Sequence, residues 1–453
     1  GIDPLDYWSA AEASLATSQG ASFLNTGTNH NSKGIIAVQE LLEVVSNYMT
    51  IGASEDALTL LNGAIALGEP YASYPLFYYY KAYNLLKQNN QTEAVACLDK
   101  AGSLSPLNNY PFRIEEINLF ETLLKESPDN SYLHYHLGNL LYYLGQKETG
   151  LSHWIRSTEL DPSFAIACRN VGFGYGCLNE LDKSMKYYDM AIKANPNDPL
   201  LLTESDKIYE QANQPANIRL KRLESYLKTV MKHDDAVMRL LTLYNASGQY
   251  DKAIKILDNR HFHLWEGGGQ VHDIYVDSHM LKGMKLLKGK HYKDAIREFE
   301  LANQYPVNLE VAPSPRGGYE AKVYYLSGVA YEAMSQADKA KECFEKSANT
   351  DFRNRLTDLN YYKVKSLRKL SKNEEADATL ADMQKSLEHM QKNLMDSYAK
   401  FGEANQNVQQ SNILYYSGLV HLLENNSSAA NEDFKQAIQL YPGNIWAKLM
   451  GEK

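Results

Sequence analysis

Apolar residues along this chain recur at helical spacing in short blocks, and the blocks themselves recur. From Ser131 the order is Leu137-Gly138, Leu141, Gly150, Trp154, Ser157, Pro162. From Ala165 it is Val171-Gly172, Tyr175, Ser184, Tyr188, Ala191, Pro196. The two stretches match place for place, at the spacing of roughly 34 residues that a helix-turn-helix repeat unit requires. Each block predicts two antiparallel helices, A and B, closed by a proline that cannot continue helix B. A glycine inside a helix costs about 1 kcal/mol against alanine. Gly138, Gly172, Gly283, Gly328 and Gly418 nevertheless all fall at the same point of a helix A, which marks a close crossing. Ala57, Ala94, Ala253, Ala295, Ala340, Ala376 and Ala430 are placed to face that point from helix B. Trp154, Tyr188, Phe299, Phe344 and Phe434 are placed to fill the space beside it. One such hairpin cannot bury its apolar face alone, so neighbouring hairpins must stack. No stretch shows the strict alternation of a sheet protein.

This order of small and large residues resembles the tetratricopeptide repeat. The resemblance implies an all-α fold, a right-handed superhelical solenoid of stacked helix-turn-helix units. Strong units start near Ser131, Ala165, Val276, Ala321 and Ser411, and weaker ones near Val38, Pro75 and Asp234. Degenerate units start near Pro199 and Thr357. Tyr110–Pro128 reads as a single helix, Gly402–Gln410 as a polar joint, and Trp446 as the opening of a short C-terminal cap. The expected organisation is a helix and polar loop over 1–37, a first repeat block over 38–260, an interrupting loop over 261–275 and a second block with its cap over 276–453.

Composition narrows the function classes. The 453 residues exceed what one globular core usually holds, a ceiling that does not apply to a solenoid. A net charge of −9 without a Lys/Arg cluster argues against nucleic acid as a partner. Apolar runs are too short for a transmembrane helix. Cys97, Cys168, Cys177 and Cys343 have no metal-ligand spacing and read as small core-filling thiols of a reducing compartment, which slightly favours the cytoplasm. The localisation stays open, because the abrupt start at Gly1 reads as part of a longer protein, whose own N-terminal signal this sequence would not show. No paired carboxylates, nucleophile elbow or phosphate loop is recognisable, so the expected class is a non-catalytic scaffold without a cofactor.

In this architecture helix A lines the inner wall. Its fifth position carries Tyr79, Tyr135, Arg169, Tyr325, Tyr361 and Tyr415, and nearby wall positions carry Tyr83, Asn139, Tyr142, Asn170 and Phe173. The chain has 33 tyrosines against 12 phenylalanines, which favours rings with one wet end. Rigid amphipathic rings offer contact area at low entropic cost and suit an extended peptide or a sugar. Asn139 and Asn170 match the asparagines of carboxylate-clamp tetratricopeptide domains. The cations of that clamp are missing: Tyr135, Leu200 and Glu204 stand in their places. A carboxylate would lack its charge-assisted bonds here. Asn139 remains a candidate to bond the backbone of an extended peptide.

The frame breaks at Arg260–Gly269, where Trp265 precedes glycines. His261, His263, Trp265 and Glu266 are the candidate loop contacts. Two histidines two apart, with no Cys or carboxylate at familiar spacing, do not predict a metal. Pro306–Gly318 reads as an exposed connector.

The run from His261 to Gly268 also resembles the Arg-Phe-His-Pro-Trp-Glu-Gly-Gly segment of a group of bacterial proteins of unknown function. The runs beginning at Leu137 and Arg169, the segment Pro111–Glu116 and the opening Asp3–Trp8 are similar to that group as well. Its members carry a β-rich, mutarotase-like domain ahead of a tetratricopeptide half. The resemblance implies that such a domain is absent from this chain. Two functions follow as expectations: a scaffold for a peptide, a partner protein or its own N-terminal domain, or the accessory half of a carbohydrate-binding or carbohydrate-processing protein.

Overall fold

In the computed structural model, residues 35–107, 109–263, 270–313, 319–350, 356–401 and 403–451 are described. They form 23 α-helices and no strand. The chain divides into two compact units, Gly1–Asn195 and Pro196–Lys453.

The described helices of the first unit are α1 (Ile35–Thr50), α2 (Ser54–Ala66), α3 (Pro75–Lys87), α4 (Gln91–Gly102), α5 (Glu115–Glu126), α6 (Ser131–Tyr143), α7 (Lys147–Leu160), α8 (Ala165–Cys177) and α9 (Leu181–Ala194). The second unit holds α10 (Pro199–Gln211), α11 (Ala216–Ser225), α12 (Leu227–Val230), α13 (Asp234–Ala246), α14 (Tyr250–Asn259), α15 (Gln270–Lys288), α16 (Tyr292–Ala302), α17 (Glu320–Ala333), α18 (Ala337–Ala348), α19 (Asp358–Lys369), α20 (Asn373–Phe401), α21 (Glu403–Leu423), α22 (Ser427–Leu440) and α23 (Ile445–Gly451). Sequential helices pair as antiparallel hairpins, most closely α6 with α7, α8 with α9, α17 with α18 and α21 with α22.

Local chemistry sets the boundaries. The A-to-B turn takes one left-handed residue, supplied by Asn89, Gly145, Asn179, Gly248, Ser335 and Asn425 among others. Glycine adopts that conformation freely and asparagine tolerates it. Asn90, Asn130 and Asn426 cap helix N-termini by accepting backbone N–H bonds.

The close crossings are as the glycines predict. A Cβ on Gly138 would lie 2.5 Å from the Trp154 ring, and one on Gly150 would lie 2.8 Å from the Gly138 carbonyl oxygen. Gly172 meets Tyr188, Gly283 meets Phe299, Gly328 meets Phe344 and Gly418 meets Phe434 in the same way. A second tie repeats with them. Ser157 donates to the Ser131 carbonyl, Ser347 to that of Ala321, and Ser411 to that of Ala437, each at 2.8 Å and across 26 residues.

Three features depart from the expected frame. The polar stretch after position 402 is not a joint: Glu403–Gln410 is helical and continuous with the rest of α21. The last residues of the expected interrupting stretch 261–275, from Gln270 on, already belong to α15. Cys177 is exposed, while Cys97 and Cys168 fill the core as expected. Tyr110–Pro128 does contain one unpaired helix, α5. Of the expected N-terminal helix and loop over 1–37, residues 1–34 lie outside the described residues, and 35–37 open α1.

Candidate functional site

The tyrosines at the fifth position of helix A are core residues, not wall residues. Tyr79, Tyr135, Tyr325, Tyr361 and Tyr415 are 0, 3, 7, 5 and 5% exposed. Each ring turns against other aromatic rings. Tyr79 packs edge-on to Phe120 and His136, Tyr325 lies against Phe344 and Tyr415 against Phe434, and Tyr361 packs edge-on to Tyr362. The Tyr79 and Tyr415 hydroxyls are enclosed without a hydrogen-bond partner among the described residues. Burial raises the phenol pKa at all five positions, to about 12 at Tyr361.

Asn139 and Asn170 are also spoken for. Asn139 Oδ1 accepts from Trp154 Nε1 at 2.8 Å and from Asn170 Nδ2 at 3.0 Å, and its side chain bonds the Tyr135 hydroxyl. Asn170 Oδ1 accepts from Arg169 at 3.3 Å. The two asparagines form an internal ladder from α6 to α7 and α8.

Besides Asn139, four sequence candidates of the first unit reach the surface: Tyr83, Tyr142, Arg169 and Phe173. Tyr142 stacks on Trp154 at 4.6 Å and faces Phe173 at 6.1 Å. The Arg169 guanidinium lies 5.8 Å from the Phe173 ring. Phe173 is 42% exposed and neighbouring Tyr143 is 70% exposed. On α3, the Tyr83 hydroxyl accepts from Asn118 at 3.0 Å, and Lys87 lies over its ring.

Within the second unit, the second positions of three successive A helices carry Asp277, Lys322 and Asp358, and this row is already occupied. Trp446, on α23, donates Nε1–H to Asp277 at 3.0 Å, and Lys322 Nζ lies 2.9 Å from the centre of its ring. Lys322 also bonds Asp358 at 2.9 Å. Burial pushes the Asp277 carboxyl up to about 7. Sequence reading missed this row because it places no aromatic residue on the wall; the tryptophan comes from the cap. Beside it, Tyr441 approaches Glu210 at 3.4 Å, next to a small cavity of about 60 Å³ lined by Arg219, Asn245, Asp277 and Ile445. A wider cleft of about 920 Å³ lies between the Pro215–Asn217 and Lys435–Gln439 segments.

The interrupting segment brings His261 and His263 together with Glu310, which the sequence did not connect to them. His261 Nε2–H donates to Glu310 Oε1 at 2.6 Å, and His263 Nδ1 lies 3.7 Å from the same oxygen. All three side chains are exposed. The other loop candidates, Trp265 and Glu266, lie outside the described residues.

These helices and their packing define an all-α helical-repeat protein. Residues 321–354 match the family model described as tetratricopeptide repeat, so this repeat protein carries at least one unit of that type. Solved structures similar to the chain include YrrB, "a TPR protein with an unusual peptide-binding site", at 15% identity and TM-score 0.28 over 51% of this chain and 91% of that one. MamA (41-end) from Desulfovibrio magneticus RS-1 is similar at 14% identity and TM-score 0.26, over 44% and 97%. The human IFIT1 dimer with PPP-AAAA is similar at 15% identity and TM-score 0.28, over 93% of each chain. Among the described residues, no helix is long and apolar enough to cross a membrane.

Proposed function

We propose that the protein is a non-catalytic scaffold whose first unit docks an extended peptide segment of a partner protein across α6 and α8. The observation that carries this reading is the half-exposed cluster of Tyr142, Phe173 and Arg169. The Tyr142 ring is stacked on Trp154 and in turn faces Phe173, and a cation stands at the cluster's edge. Rigid aromatic anchors beside an arginine are the composition of a binding hot spot. The second unit supports the reading by analogy. There, a row of charged residues on the A helices takes a tryptophan through one N–H bond and one cation over the ring.

The test is a double substitution, Arg169→Ala with Phe173→Ala, in the full chain. Partners captured by the wild type are mapped to peptides, and their affinity is measured by titration. Truncating two anchors should weaken binding by about a hundredfold, or about 2.8 kcal/mol. The melting temperature should hold, because both side chains are partly exposed. Unchanged affinity overturns the proposal. So does loss of binding only on Lys435→Glu, which would move the site to the cleft of the second unit.

A further inference from the structure

We infer that His261, His263 and Glu310 form a binding site for a divalent transition-metal ion of the zinc, nickel or copper class. The ligand atoms of the three residues lie within 4.8 Å of one another. A tetrahedral zinc with bonds near 2.0–2.1 Å holds its ligand atoms about 3.3 Å apart. The 2.6 and 3.7 Å separations to Glu310 Oε1 bracket that figure, so shifts of under about 1 Å at side-chain tips complete the set. Two imidazole nitrogens and one carboxylate oxygen are a borderline donor set. It suits zinc, nickel and copper and disfavours magnesium and calcium, which demand oxygen alone. On binding, the metal takes the place of the His261 Nε2 proton, and the neutral ring carries its proton on Nδ1. A fourth position is left for water.

The backbone around these side chains is built, although their tips are exposed. Phe262, between the histidines, is fully buried, and its N–H donates to the Asn308 carbonyl at 2.8 Å. Asn308 Nδ2 in turn donates to the carbonyls of Leu257 and Arg260. The His263 N–H donates to Asp234 Oδ2 at 2.8 Å, and Arg260 bonds Asp234 Oδ1 at 2.7 Å. The two strips that supply ligands are therefore fixed against each other before any metal arrives, which lowers the ordering cost of binding. Glu310 itself sits at φ +53°, closing a short turn over the buried Leu309. A left-handed conformation is strained for a residue with a long side chain. Glycine would be the default there, and the carboxylate is what glycine could not supply. A bound ion would clip together segments 49 residues apart.

Zinc or nickel chloride titrated into the full, tag-free chain should bind at one equivalent and raise the melting temperature. Cobalt should give the visible absorption of a protein-bound ion. His263→Ala and Glu310→Gln should each weaken binding by about tenfold or more. Glu310→Gly separates folding from ligation: it relieves the left-handed strain, so the metal-free protein melts no lower than the wild type, yet the metal-induced rise disappears. Acidification should release the ion, because both imidazoles must be neutral to ligate. The inference is overturned by sub-stoichiometric binding. It is equally overturned if binding survives His263→Ala and Glu310→Gln but is lost with His153→Ala, since His153 and His134 face each other elsewhere at 2.9 Å.

Discussion

The Asn139 side chain joins α6 to both α7 and α8. The sequence places it on the wall of helix A, and the structure does leave it at the edge of that wall. Its amide is nevertheless consumed by Trp154, Asn170 and Tyr135. Asn139→Ala should therefore act on stability: it strands a half-buried indole N–H and an amide, at about 1–3 kcal/mol for the lost partners. Urea unfolding should show this as a lower midpoint with unchanged slope. Loss of partner binding without destabilisation would contradict the ladder. The glycines were legible one by one because a missing Cβ has a single consequence, and each meets the ring that spacing assigned to it. The fifth-position tyrosines were not, because spacing fixes the Cβ but not the rotamer. Tyr325 and Tyr415 turn toward the rings of helix B, where more apolar area is buried.

Helix pairs were legible where the small-residue crossing is kept, and they blurred where another interaction replaces it. The α10–α11 pair looked degenerate because its crossing is ionic. Asp206 stands where the A helices of the strong units carry glycine, and it takes both forks of Arg219 at 2.9 and 2.8 Å. Arg239 on α13 adds a bond at 2.6 Å, and Glu210 accepts from Arg219 and Arg239. Burial opposes ionisation of Asp206, but the two guanidiniums outweigh it and hold the carboxyl below its ordinary value. Removing one member of such a set leaves the others buried and uncompensated. Asp206→Asn should therefore cost about 3–5 kcal/mol. Hydrogen exchange should show the loss in α10, α11 and α13 before it reaches α21 and α22. A change below about 1 kcal/mol would mean that solvent screens the set. The helical start of α21 was hidden for a different reason: Glu403, Ala404 and the glutamines form helix readily, yet as a polar run they read as a linker.

Over the whole molecule, residues distant in sequence are what the repeat pattern could not join: Glu310 to the histidines, and Trp446 to Asp277. The same scale governs how the two units respond to acid. In the first unit burial pushes His136 down to about 3 and His153 to about 4, and it lowers His134. The unfolded chain takes up protons below about pH 6.5 while these rings stay neutral, so stability falls as the pH drops. The fully buried His136 alone contributes a slope of about 1.4 kcal/mol per pH unit in that window. Glu116, raised by burial, opposes this as the pH falls through its raised value toward the ordinary glutamate range. In the second unit the raised Asp277 acts with the opposite sign. Its contribution is complete below about pH 4 and is lost as the pH rises through about 7. Asp206 and Glu298, both lowered, begin to cost stability only below the ordinary carboxylate range. Between pH 7 and pH 5 the first unit should therefore weaken while the second firms. Hydrogen exchange resolved by unit measures both trends in one sample. His136→Phe should flatten the first and Asp277→Asn the second, the latter raising stability more at pH 8 than at pH 5. Parallel trends in the two units, or slopes that ignore these substitutions, would show that the buried imidazole and the carboxyl beneath Trp446 exchange protons as solvent-exposed groups do.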